Sequence, residues 1–138
     1  MVRKSIALTG LLIICLFHPL PAHTRVAVDL PDLIIKQYEF DSYNDKGLRV
    51  QVANRGKAAS RPCRLEMSVR RINGTASTRT AYGRIPAIEP GREEWVTLNA
   101  SGILQAAISL KDTTFRLTVD DTGIVAESNE DNNETWHN

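Results

Sequence analysis

The chain has 138 residues, with 17 basic and 16 acidic side chains, two cysteines and a net charge of +1. A balance this close to neutral gives no electrostatic basis for binding nucleic acid or an anionic membrane surface. The cysteine count, with one cysteine inside an apolar N-terminal run, excludes a disulfide scaffold and a zinc-ligand spacing.

Arg3 and Lys4 precede an uncharged apolar stretch from Ile6 to Phe17, which Pro19, Pro21 and Ala22 interrupt. That order is a secretory signal peptide over residues 1–22, with cleavage after Ala22. The run is shorter than the roughly 20 residues a membrane span needs. Cys15 raises a lipoprotein reading, but Leu12-Ile13-Ile14 places bulky side chains where acylation requires small ones. Residues 23–138 are then expected to form one exported domain, periplasmic or secreted from a bacterium, with no membrane insertion after cleavage. With Arg3 and Lys4 removed from the 17 basic residues, the remainder carries a net charge of −1. A chain of this size can bury roughly 65% of its unfolded surface and fold without cross-links. Cys63 alone remains, either buried and inert or bridging two chains.

The elements follow as short strands between turns. Asp32 to Phe40 is the first apolar run, and Tyr43-Asn44-Asp45-Lys46-Gly47 turns the chain. Leu48, Val50 and Val52 alternate with Arg49, Gln51 and Ala53, the period of a strand with one wet face, before Asn54-Arg55-Gly56 closes it. Cys63, Leu65, Met67 and Val69 alternate with polar partners up to Asn73-Gly74, and this parity favours a buried thiol at Cys63. A weaker run, Thr78 to Ile88, ends at Glu89-Pro90-Gly91. Glu94 to Asn99 sets Val96 and Leu98 against Trp95 and Thr97. The pattern from Ser101 to Leu110 predicts a short helical segment near 102–109. Phe115, Leu117 and Val119 mark the last clear strand. The fold class is therefore all-β, an immunoglobulin-like antiparallel sandwich of about seven strands with a short last strand.

The most specific segment is Val119-Asp120-Asp121-Thr122-Gly123-Ile124-Val125-Ala126-Glu127-Ser128-Asn129-Glu130-Asp131-Asn132-Asn133. It resembles the closing motif of the CARDB family, the bacterial cell-adhesion-related domain. Pro31-Asp32-Leu33-Ile34-Ile35 resembles that family's opening, Val52-Ala53-Asn54-Arg55-Gly56 its second strand and turn, and Ile88-Glu89-Pro90-Gly91 its proline-glycine turn. The resemblance covers about Asp29 to Asn133. It implies an immunoglobulin-like fold in exported bacterial proteins, used as a binding or spacing module, and implies no catalytic activity. Similar domains continue into a full final strand, whereas here Glu134-Thr135-Trp136-His137-Asn138 follows directly.

Two readings of the acidic segment stay open. Asp120, Asp121, Glu127, Asn129, Glu130, Asp131 and Asn132 offer the oxygen ligands that calcium takes, and an exported compartment supplies calcium. The same side chains suit a turn capped by Asx bonds, and the mismatch with EF-hand spacing weighs toward it. Partner contacts are expected at Trp95, Asn133 and Trp136. The partner would be an envelope or extracellular protein or glycan, recognised by a non-catalytic adhesion-type module. The alternative is an assembly subunit or homodimer that pairs by strand addition at the short last strand, with calcium stabilising it. An exposed Trp95 would suit a glycan or protein contact, unless a register shift buries it. No enzyme is expected. His23 and His137 lie one near each end, no phosphate loop occurs, and Glu93 and Glu94 point to opposite sides of a strand. The Asn-x-Ser/Thr sites at Asn73, Asn99 and Asn133 carry little weight in a bacterial protein.

Overall fold

The computed structural model describes residues 28–138; the leader assigned to residues 1–22 lies outside them. Seven strands run in chain order: β1 (Leu33–Phe40), β2 (Gly47–Asn54), β3 (Cys63–Ile72), β4 (Thr75–Ile85), β5 (Glu93–Asn99), β6 (Thr113–Val119) and β7 (Glu134–His137). They form two antiparallel sheets, three-stranded β1-β2-β5 and four-stranded β4-β3-β6-β7. The short last strand is real, and its four residues pair with Phe115–Thr118 of β6.

Alternation places the core. Leu48, Val50 and Val52 of β2, Val96 and Leu98 of β5, Leu65, Met67 and Val69 of β3, and Phe115, Leu117 and Val119 of β6 are buried between the sheets. Cys63 faces inward with them as a free, buried thiol. In β1 a bulge between Ile35 and Gln37 resets the parity. Leu33 and Ile35 before it, and Tyr38 and Phe40 after it, therefore all meet the same core. The β3–β4 hairpin turns on Asn73 and Gly74, both at positive φ (49° and 77°), the two-residue turn whose twist matches its strands.

The expected helix near 102–109 is absent. Ala100 carbonyl accepts from both Ile103 and Leu104, Ile108 N–H bonds to Gln105, and the only regular piece is a 3₁₀ turn at Leu110–Asp112. The reason is tertiary. Ala100 N–H bonds to Lys46 carbonyl and Leu110 N–H to Asp45 carbonyl, so both ends of the segment are tied to the β1–β2 turn. A stretch this short has little helical stability of its own to oppose that.

Candidate functional site

The acidic segment between β6 and β7 wraps the end of the sandwich where β1 begins. Asp120 is buried at positive φ (49°), and its carboxylate accepts from Val125 N–H at 2.8 Å and Ile124 N–H at 3.3 Å. Glu127 is also buried; one oxygen accepts from Leu33 N–H at the start of β1, the other from the Asn133 amide at 3.1 Å. Burial, followed by the nearby Glu130 and Asp120 charges, pushes the Glu127 carboxyl up to about 7. Glu130 caps Glu127 N–H at 2.9 Å, Asn129 caps Asp131 N–H at 3.1 Å, and the Asn132 amide donates to Asp32 at 2.8 Å. Asp121 pairs with Arg64.

Several of the side chains expected to hold calcium are thus engaged by protein donors. Asp120 and Glu127 satisfy backbone N–H groups, Asp121 an arginine, and Asn129 its own turn. Among the described residues, no group of three or more His, Cys, Asp or Glu side chains is arranged to hold a metal ion. The segment is a clasp, tying the β6–β7 connection to the opening strand.

The expected partner residues separate. Trp95 lies on the outer face of the three-stranded sheet, 36% exposed, with the Arg49 guanidinium 4.7 Å from its ring centroid. Trp136 lies on the outer face of the other sheet, 48% exposed, beside Arg116. Asn133, expected at a partner surface, is instead buried against Glu127 because its amide completes the clasp.

Three residues that the sequence did not mark also matter. Tyr82, 53% exposed, stands under the Arg64 guanidinium at 4.2 Å. Only its even-numbered place in a weak strand run hinted at that outward position. Asn54 is 1% exposed and joins three loops: its carbonyl accepts from Asp32 and Gly56 N–H, and its amide donates to Ala58 and Ile88 carbonyls. His137 is not a loose terminal side chain. It stacks on Phe115 at 4.9 Å between centroids, and its Nδ1 lies 3.1 Å from the Tyr38 hydroxyl. Tyr38, Phe40, Phe115 and His137 close the sandwich edge between β1 and β7.

A pattern connects three of the exposed rings, Trp95, Tyr82 and Trp136. Each is stacked by an arginine that a carboxylate holds: Glu39–Arg49–Trp95, Asp121–Arg64–Tyr82, and Glu66 with Glu134 around Arg116–Trp136. Guanidinium stacking of this kind helps to fix a ring in place.

A comparison with curated proteins finds no match. Among solved structures, the chain is similar to the CARDB domain of the PF1109 protein from Pyrococcus furiosus, determined in complex with di-metal ions. The identity is 20% and the TM-score 0.50, with 80% of this chain and 93% of that one covered, a likeness of fold. A family model, CARDB, matches residues 30–137, from just before β1 to the end of β7. A match over this much of the chain establishes that it belongs to the CARDB family.

Proposed function

We propose that the protein is an exported, non-catalytic recognition module that holds a protein or glycan of the bacterial envelope on the outer faces of its sandwich. The observation that supports this is the repeated carboxylate–arginine–aromatic arrangement around Trp95, Tyr82 and Trp136. Half-exposed, pre-oriented rings lose little conformational freedom on contact, which is what a recognition surface requires. The one histidine among the described residues, His137, is engaged in the aromatic edge rather than beside a nucleophile. The export signal proposed for residues 1–22 agrees with this compartment. The test is retention of envelope components on the immobilised protein. Stoichiometric retention that is lost when Trp95 and Trp136 are both replaced by alanine is expected; retention indifferent to both replacements would refute the reading.

A second reading, assembly by strand addition, draws on β7. Among the described residues it is an edge strand of four residues that pairs with β6. An edge strand offers its outer backbone groups to another strand. Sedimentation showing a strict monomer at high concentration would count against it. The di-metal ions of the Pyrococcus furiosus domain are not carried over to this chain, where Asp120, Asp121 and Glu127 of the clasp accept from protein donors.

A further inference from the structure

Resting on the recognition-module reading, we propose that the ligand is a linear glycan, bound across the outer face of the four-stranded sheet between Tyr82 and Trp136. The register sets Tyr82, Glu66, Thr118 and Glu134 in one outward row across the sheet. Thr80, Ser68, Arg116 and Trp136 form the next. The two rings therefore stand on the edge strands β4 and β7, with Glu66, Ser68, Arg116 and Thr118 on the strands between them. Strands about 4.8 Å apart place the rings roughly 15 Å from one another. That is the length of a short oligosaccharide and not of a single sugar.

Two hollows open along this face. One lies beside Tyr82, lined by Cys63, Arg64, Gly83 and Arg84. The other opens beyond Thr118 and Glu134, where Asp121, Glu130 and Asp131 of the clasp form its wall. The row from Tyr82 through Glu66 and Thr118 to Glu134 runs between them.

The chemistry of the face fits a sugar chain. A pyranose has C–H faces that pack on an aromatic ring and a rim of hydroxyls that need both donors and acceptors. Tyr82 and Trp136 supply the first; Glu66, Thr118, Arg84 and Arg116 supply the second. A protein partner would call for a contiguous, desolvated apolar centre, whereas here hydrogen-bonding groups separate the rings. Among the described strands, Trp95 has no second ring on its own face, where Gln37, Gln51, Glu39, Arg49 and Thr97 surround it.

The test is calorimetric titration of the purified protein with cello- and chito-oligosaccharides of increasing length, with co-sedimentation on peptidoglycan sacculi in parallel. The expected result is saturable binding that needs more than a monosaccharide. Tyr82→Ala and Trp136→Ala should each weaken it about tenfold or more, near 1.4 kcal/mol, and Trp95→Ala should leave it unchanged. Melting of each variant at the wild-type midpoint separates loss of contact from loss of fold. Binding lost only on Trp95→Ala would overturn the proposal. An envelope protein retained with no glycan bound would overturn it while leaving the recognition-module reading intact; retention of neither would end both.

Discussion

Glu127 shows how a residue that resembles a metal ligand can serve a structural end. Its two oxygens hold Leu33 N–H and the Asn133 amide, so that the start of β1 and the start of β7 are fixed by one side chain. Its carboxyl is raised by burial to about 7, from 4.5 for the free group. A folded value above the unfolded one means the folded state binds the proton more tightly. The associated stability is complete below the unfolded value and is lost as pH rises through the folded one. The urea midpoint is therefore expected to fall between about pH 4.5 and about pH 7. Glu127→Gln should flatten that slope. Its carbonyl still accepts from Leu33, and the unpaired Asn133 Oδ1 can accept from its amide once Asn133 flips. A variant that keeps the wild-type slope would exclude Glu127 as the titrating group. Cys63 gives a second check at this scale. Burial first, then the Asp120 and Glu127 charges, push its thiol up to about 12. Native protein near neutral pH should react with a thiol reagent far more slowly than urea-unfolded protein; equal rates would mean that this end of the sandwich opens readily.

Among the elements, the β2–β3 turn is where the fold tolerates least. A Cβ on Gly56 would lie 2.3 Å from Leu30 carbonyl oxygen and 2.4 Å from the Pro31 carbonyl carbon. The incoming N-terminal segment crosses directly over this glycine, with Arg55 N–H bonded to Asp32 carbonyl and Lys57 N–H to Leu30 carbonyl. Gly56→Ala must push backbone away from backbone and should cost about 3 kcal/mol in chemical denaturation. Asn54→Asp tests the neighbouring hub. It replaces the donors to Ala58 and Ile88 with an acceptor facing two carbonyls, and a loss of about 3 kcal/mol is expected. A loss under about 1 kcal/mol for either would show that the turn can shift as a unit. The segment after β5 behaves differently. Its apolar spacing suited a helix, yet contacts with the β1–β2 turn hold it as successive turns.

For the whole molecule, the clasp and the aromatic edge close opposite parts of the sandwich through contacts within the chain. A thermal melt with calcium and one with chelator should share a midpoint; a rise with calcium would return the acidic segment to the list of cation sites. The sequence by itself determined the strands, because a period of two with one apolar face can be buried only by a sheet packed on another. It also determined the inward parity of Cys63, the Asn73-Gly74 and Pro90-Gly91 turns, the short last strand and the family motif at the acidic segment. Only the tertiary structure decided what those residues do. Whether Glu127 meets a metal or the Leu33 N–H, and whether His137 is loose or stacked on Phe115, depends on partners far away in the chain. The pairing of Tyr82 with Trp136 across one face was likewise invisible, since it is set by strand order and register rather than by any local pattern.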